Sequence, residues 1–187
     1  MIRAFIAVEL PRTLQYEVAA FQTEFKKSGA DVKWVEPANL HLTLKFLGEI
    51  EENRLAPIQE ALGNAVGHRP HFTIHLEGIG AFPRTTSPRV IWVGVHEGGQ
   101  ELVALVQAVE QAASGVGFPP EERPFEPHLT IGRVRSPGGL AGLIKKLQVA
   151  EFRATSSAPV TRLTLFQSLL SPKGPTYSPL AEVPLGS

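Results

Sequence analysis

Two short segments of this 187-residue chain carry the same His-x-Thr triplet. The first lies in LHLTLKFLG, which begins at Leu40, and the second lies in PHLTIGRVR, which begins at Pro127. They share His-Leu-Thr and a following aliphatic residue, and each follows a loop with proline and precedes a segment of helical periodicity. Four matching positions are modest support by themselves, but the matching surroundings favour duplication of a half-domain over chance.

Each segment predicts a β-strand with one chemical face and one apolar face, because side chains alternate across a strand. Strict alternation places His41, Thr43 and Lys45 on one face. In the second strand it places His128 and Thr130 on one face. If a pseudo-twofold axis relates the two halves, two imidazoles and two hydroxyls meet at one place.

Such a place suits in-line displacement at phosphorus. One neutral imidazole can take a proton from the attacking water while the other, protonated, gives a proton to the leaving sugar oxygen, since the pKa of histidine lies near neutrality. The hydroxyls of Thr43 and Thr130 can donate hydrogen bonds to the phosphate oxygens as charge develops there.

The same residues also fit roles outside acid-base catalysis. A histidine at a strand edge is often a hydrogen-bonded structural residue, although a repeated motif on two amphipathic strands makes that less attractive. Two histidines could also bind a metal ion, but among acidic residues only Glu126 lies near either motif at ligand spacing. A threonine nucleophile would need an N-terminal amine or an orienting acid.

The composition narrows the class of partner. Eighteen basic and eighteen acidic residues balance, which argues against extended nucleic-acid binding and leaves a small substrate or a polymer held at its end. The chain has no cysteine, which excludes thiolate chemistry. The N-terminal MIRAFIAVELP is too short and too charged for a signal peptide or a membrane span. A cytoplasmic protein without membrane contact is therefore expected. The protein is also expected to be a monomer.

Helical and extended segments alternate along the chain, which predicts an α+β fold. Strands are expected at residues 3–8, 32–35, 40–47, 72–82, 90–95, 128–134, 160–169 and 177–183. Helices are expected at residues 13–27, 55–66, 100–114 and 140–147. No linker separates the halves, so residues 1–187 are expected to form a single bilobal domain with its motifs at 41–43 and 128–130.

The motif pair resembles the HxTx signatures of the two-histidine phosphoesterase superfamily. More closely, the chain resembles the RNA 2′,3′-cyclic phosphodiesterases, also called 2′-5′ RNA ligases. The similarity extends to RAFIA at Arg3, VKWVEP before the first motif, PRVIW at Pro88, FEP before the second motif and GPTY at Gly174. These segments span nearly the whole chain.

The resemblance implies a bilobal, pseudo-twofold duplicated fold, with antiparallel sheets lining a central cleft and helices outside. It implies a substrate that is an RNA 3′ end or a nucleotide bearing a 2′,3′-cyclic phosphate, and neither metal nor organic cofactor. By this similarity His128 activates water, His41 protonates the 3′ oxygen, Thr43 and Thr130 hold the phosphate, and the product is a 2′-phosphomonoester. The reverse reaction would be 2′-5′ ligation.

The resemblance also marks Arg133 and Phe46 as candidate contacts to phosphate and base. Strict alternation points both side chains toward the core, and core packing is the simplest explanation for Phe46, Trp34 and Trp92. Three alternatives remain open on the sequence alone. The protein could act on another cyclic phosphate such as ADP-ribose 1″,2″-cyclic phosphate, or it could be a non-catalytic module that binds RNA ends. It could also be an unrelated α+β protein with an accidental repeat.

Overall fold

The computed structural model describes residues 1–186, and this range contains four α-helices and ten β-strands. The helices are α1 (Arg12–Lys26), α2 (Leu55–Val66), α3 (Gly99–Gly115) and α4 (Leu140–Val149). The strands are β1 (Ile2–Glu9), β2 (Val32–Trp34), β3 (His41–Ile50), β4 (Phe72–Ile74), β5 (Leu76–Arg84), β6 (Ser87–Val95), β7 (His128–Val134), β8 (Ala158–Val160), β9 (Arg162–Ser171) and β10 (Gly174–Pro184). The predicted α+β class is confirmed.

One predicted strand, at residues 72–82, is two strands. β4 pairs with β8 whereas β5 pairs with β6, so the chain leaves one sheet and enters another at His75. A continuous run of β-forming residues carries no sign of this change of partner, because pairing is decided by the rest of the fold.

Eight of the ten strands form two four-stranded antiparallel sheets, and β4 and β8 form a two-stranded one. The first has the order β10-β9-β1-β3 and the second has the order β2-β7-β6-β5. His41 opens β3 at the edge of the first sheet, and His128 opens β7 inside the second. The two motifs therefore belong to different sheets.

The sheets are built by exchange between the two halves of the chain. The arrangement β9-β1-β3 in the first sheet corresponds to β5-β6-β7 in the second. β9, from the second half of the chain, thus joins β1 and β3 of the first half, and β5, from the first half, joins β6 and β7 of the second half. β4 and β8 precede these exchanged strands and pair with each other. Two equivalent segments that pair antiparallel lie where a pseudo-twofold axis would pass. This architecture agrees with the predicted duplication.

The helices cover the outer faces of the sheets and follow the same exchange. α1 leaves β1 of the first sheet but packs on the second, where Gln22 Nε2 donates 2.9 Å hydrogen bonds to the carbonyl oxygens of Val35 and Ile131. α3 leaves β6 of the second sheet but packs against β3 of the first, and against α2. Gln22 is fully buried, so its two acceptors fix how α1 sits on the sheet.

Apolar side chains fill the space between sheets and helices. Leu14, Val18 and Phe25 on α1 lie on one helical face and are buried, as their spacing predicts. Leu42 of β3 and Leu129 of β7 are fully buried behind the motif histidines. None of the helices in residues 1–186 has the length and apolar character needed to cross a membrane.

Candidate active site

The two motif strands are neighbours across the boundary between the sheets. Cα atoms of β3 lie within 8 Å of Cα atoms of β7, although the strands share no ladder. His41 and Thr43 of β3, and His128 and Thr130 of β7, are all partly exposed, whereas the leucines between them are buried. The histidine and threonine of each motif are therefore open to solvent on two neighbouring strands, as the predicted cleft requires.

Both histidine rings are held by the same hydrogen bond. Nδ1 of His41 lies 2.6 Å from the carbonyl oxygen of Asn39, and Nδ1 of His128 lies 2.6 Å from the carbonyl oxygen of Glu126. A carbonyl oxygen can only accept, so Nδ1 of each ring carries a hydrogen and donates it. Nε2 is then the atom that gains or loses a proton in each ring. The backbone carbonyl group two residues before each histidine therefore fixes the tautomer of its ring.

The first motif contains a further contact. Nε2 of His41 lies 2.9 Å from Oγ1 of Thr43. In the neutral ring Nε2 can only accept, so the threonine hydroxyl donates to it. An anionic oxygen that entered the cleft would compete for this hydroxyl, which can rotate toward either acceptor.

Aromatic rings enclose His41. Its centroid lies 4.9 Å from that of Phe5 and 5.0 Å from that of Tyr177, with the tyrosine nearly perpendicular. Phe5 also stacks on Phe166. Burial lowers the pKa of His41, and the hydrogen bond to the Asn39 carbonyl opposes this shift only in part. Sequence reasoning missed these rings because β1, β9 and β10 are distant from residue 41 along the chain.

His128 has its own aromatic neighbours. Its ring is perpendicular to that of Phe82, with centroids 5.0 Å apart, and it lies 6.4 Å from Trp92. Trp92 pairs with Thr130 in the β6–β7 ladder and shares the cleft face, so the expectation of core packing is wrong for this residue. Trp34, by contrast, packs against the core as predicted.

A β-bulge interrupts both motif strands one residue after the threonine. Ala7 pairs with Thr43 and Ile6 pairs with Lys45, which leaves Leu44 as an extra residue. In the second sheet Trp92 pairs with Thr130 and Ile91 pairs with Gly132, so the extra residue is Ile131. An extra residue on one strand reverses the alternation of side chains beyond it.

The bulge in β3 overturns two expectations from strict alternation. Phe46 pairs with Phe5 on the cleft face, and its side chain is 61% exposed, so it is not a core residue. Lys45 does not share the face of His41 and Thr43. It is 3% exposed and turned to the helix side, where its ammonium group meets Glu110 of α3.

The bulge in β7 does the same for Arg133. This residue pairs with Val90 and is exposed on the face of Thr130 and His128, not turned to the core. Arg133 is also near enough to Tyr177 of the first sheet to act on its pKa, which burial raises and the charges of Arg133 and Arg3 counteract. The partner of Arg133 in the ladder, Lys33, has its ammonium group 3.9 Å from the position of a Cβ atom on Gly174 of β10, so the two sheets approach one another at this end as well.

Sequence reasoning missed the ion pair between Lys45 and Glu110. The ammonium group lies 2.8 Å from Oε2 of Glu110 and donates a 3.0 Å hydrogen bond to the carbonyl oxygen of Pro119. Pro119 belongs to the segment that leads into His128. A lysine in the first motif strand therefore positions the approach to the second.

Residues 1–186 contain no group of three or more His, Asp or Glu side chains that could hold a metal ion. A reaction that needs no metal stays a prediction, which turnover in the presence of a chelator tests.

Comparison with known proteins agrees with the duplicated architecture. The family described as LigT like Phosphoesterase matches the chain twice, at residues 8–92 and 93–177. The RNA 2′,3′-cyclic phosphodiesterase of Archaeoglobus fulgidus is 41% identical over 181 residues, covering 96% of this chain and 98% of that protein. The one from Aeropyrum pernix is 38% identical over 170 residues, covering 91% and 96%.

Solved structures give the same result. The crystal structure of a protein from Thermus thermophilus has a TM-score of 0.82 at 28% identity, covering 98% of each chain. That of E. coli LigT complexed with 3′-AMP has a TM-score of 0.81 at 26% identity, again covering 98% of each chain. With both halves matched and relatives above 30% identity over nearly its full length, the chain belongs to the LigT-like phosphoesterase family.

Proposed function

We propose that residues 1–187 act as one bilobal domain that hydrolyses the 2′,3′-cyclic phosphate of an RNA end or a nucleotide to a 2′-phosphomonoester. The curated relatives that match most of the chain carry the name RNA 2′,3′-cyclic phosphodiesterase. The observation that carries the proposal is the equivalence of His41 and His128, which sit on adjacent strands with Nδ1 tied to the backbone and Nε2 left for proton transfer.

The proton transfers divide between the two rings. Nε2 of neutral His128 takes a proton from water as the water oxygen attacks phosphorus. The bond from phosphorus to the 3′ oxygen breaks, and Nε2 of protonated His41 gives that oxygen its proton. The two rings end with their protonation states exchanged, and solvent restores them. Each ring contributes about 10²–10⁴-fold in rate.

The environment of His41 suits the acid role. Burial lowers its pKa, so the protonated ring is a stronger acid toward the leaving oxygen. An anionic phosphate beside the ring favours the protonated form and offsets the burial once substrate is bound. The hydroxyls of Thr43 and Thr130, on the same faces as the histidines, donate to the non-bridging oxygens.

The exposed side chains beyond the bulges complete the site. Arg133, about 7 Å along β7 from Thr130, carries a planar, always-charged guanidinium that can pair with oxygens of a phosphate group of the substrate. Phe46 offers an exposed ring on the opposite wall, and a nucleobase stacks on such a ring regardless of its identity. Because the chain has no net positive charge for contacts along an RNA strand, this arrangement binds an RNA at its end.

The proposal extends to the setting of the reaction. We propose a cytoplasmic protein that acts as a monomer, with both motifs in one cleft. The same cleft can join a cyclic or 2′-phosphate end to a 5′-hydroxyl, because a catalyst accelerates both directions. Water favours hydrolysis except at high concentrations of ends.

The test is turnover of adenosine 2′,3′-cyclic phosphate in excess EDTA, with the product identified by ³¹P NMR. We expect hydrolysis to adenosine 2′-phosphate at the rate measured without chelator. ADP-ribose 1″,2″-cyclic phosphate is assayed in parallel. A higher kcat/KM on that compound than on RNA-derived cyclic phosphates, a 3′-phosphate product, or loss of turnover in EDTA would each refute part of the proposal.

A further inference from the structure

Two cations face each other on neighbouring strands of the second sheet. Lys33 of β2 pairs directly with Arg133 of β7, and both side chains are exposed. Directly paired residues on antiparallel strands have Cβ atoms about 4.5–5.5 Å apart, and like charges in such a pair destabilise the sheet. A bound anion would offset the repulsion between these two positive charges.

The backbone determines which way this pair points. Val32 and Trp34, on either side of Lys33, pack against the core. A Cβ atom placed on Gly132, the partner of Trp34, would lie 2.9 Å from side-chain atoms of both Trp34 and Val32, so this side of the strands is the helix side. Lys33 and Arg133 therefore project from the opposite side, into the cleft that contains Thr130.

Just beyond the ends of these two strands, Asp31 and Arg135 form an ordinary ion pair. Arg135 Nε lies 3.1 Å from Oδ1 of Asp31, whose other oxygen accepts a 2.7 Å hydrogen bond from Ser136. Within residues 1–186, neither Lys33 nor Arg133 has a carboxylate within 4.0 Å. The sheet thus neutralises one pair internally and leaves the pair nearer to the motif uncompensated.

The opposite wall at this point is the beginning of β10. The ammonium group of Lys33 lies 3.9 Å from the position of a Cβ atom on Gly174, and Asn39 Nδ2 donates a 3.0 Å hydrogen bond to the carbonyl oxygen of Pro175. The same strand carries Tyr177, which contacts His41. The two cations are therefore bounded by elements that also shape the phosphate site.

We infer that Lys33 and Arg133 form a second anion subsite, which binds the phosphodiester group joining the terminal nucleotide to the preceding one. This inference rests on the proposed function. Because Ile131 is the extra residue of the bulge, Arg133 is the next cleft-facing residue after Thr130, about 7 Å along the strand. A phosphate next to Lys33 thus belongs to the same oligonucleotide as one held at Thr130. The subsite makes a polynucleotide end a better substrate than a cyclic mononucleotide.

The experiment compares three substrates: adenosine 2′,3′-cyclic phosphate, the dinucleotide ApA ending in a 2′,3′-cyclic phosphate, and the same dinucleotide with an uncharged methylphosphonate linkage. We expect the parent to process the charged dinucleotide with a kcat/KM about tenfold above that of the mononucleotide. Lys33→Gln should remove most of this advantage, Lys33→Arg should keep it, and the methylphosphonate should behave like the mononucleotide in every variant. Lys145→Gln, which removes an exposed cation from α4, is the matched control.

The outcomes separate the subsite from the proposed function. If the parent hydrolyses the mononucleotide but the dinucleotide has no advantage, or if its advantage survives Lys33→Gln, the subsite is refuted and the proposed function stands. If the parent hydrolyses none of the three substrates, both fall. A loss of the advantage in Lys145→Gln equal to that in Lys33→Gln would show a general charge effect and would also refute the subsite.

Discussion

The ammonium group of Lys45 lies 2.8 Å from Oε2 of Glu110, on the side of the first motif strand that faces away from the cleft. The bulge at Leu44 brings the lysine there, and the same ammonium group holds the carbonyl oxygen of Pro119. The lysine side chain is 1% exposed and that of Glu110 is 18% exposed. A nearly dry ion pair therefore connects β3, α3 and the segment leading to His128.

Removing one member of this pair is expected to destabilise the fold. Lys45→Met leaves the carboxylate of Glu110 buried without its partner, and the free energy of unfolding should fall by about 3 kcal/mol, measured by urea denaturation. The double variant Lys45→Met/Glu110→Leu should be more stable than Lys45→Met alone, because no unpaired charge remains. Strictly additive losses in the double variant would contradict this account.

The paired-imidazole mechanism predicts strong but non-additive losses of activity. His41→Ala and His128→Ala should each lower kcat on adenosine 2′,3′-cyclic phosphate by about 10²–10⁴-fold, and the double variant should be little worse than the worse single one. The exposed His68→Ala serves as control, and thermal unfolding verifies that the variants fold. Near-parental turnover in either single variant would be incompatible with the mechanism.

The hydroxyl of Thr43 is expected to matter more to the transition state than to binding. Thr43→Val keeps the shape of the side chain and removes the donor, and kcat should drop by about 10²-fold with a smaller change in KM. Thr43→Ser keeps the donor and should recover most of the rate. Thr130→Val and Thr130→Ser test the second motif in the same way. Equal activity of the valine and serine variants would exclude a donating role.

The lowered pKa of His41 has a consequence for stability. Because the pKa is lower in the folded protein than its ordinary value of 6.5, the unfolded chain binds the proton more readily. This contribution to stability is present above pH 6.5 and is lost as the pH falls through the folded pKa. The free energy of unfolding of the parent should therefore decline more on acidification below pH 6.5 than that of His41→Asn, measured by urea denaturation. A steeper decline in the variant would mean that the folded pKa is raised.

The bulge in β3 predicts different roles for two nearby residues. Phe46 is expected to affect substrate binding, and Leu44 is expected to affect stability. Phe46→Ala should leave the unfolding free energy nearly unchanged, since the ring is 61% exposed, and should raise KM by about tenfold through loss of base stacking. Leu44→Ala, at a residue 4% exposed, should lower the unfolding free energy by about 2–5 kcal/mol. A large stability loss at Phe46 would place its ring in the core after all.

The sequence predicts the motif strands, the aliphatic residues behind them and the duplication, because these depend on local periodicity and on repetition. It misplaces Lys45, Phe46 and Arg133, because a bulge is defined by the register of the partner strand and leaves no mark in the strand that contains it. The aromatic neighbours of His41 were not predictable either. Phe5, Phe166 and Tyr177 come from β1, β9 and β10, which join β3 in one sheet only once the chain has folded.

The exchange of strands between the halves has a consequence for the order of folding. β1 ends at Glu9, yet one of its two neighbours is β9, which begins only at Arg162. The first sheet therefore cannot form fully until β9 has been synthesised, and until then β1 exposes an unpaired edge. Such long-range pairing slows folding. Emergence of β9, and not emergence of the first motif, is therefore the step that allows the first sheet to form around β1.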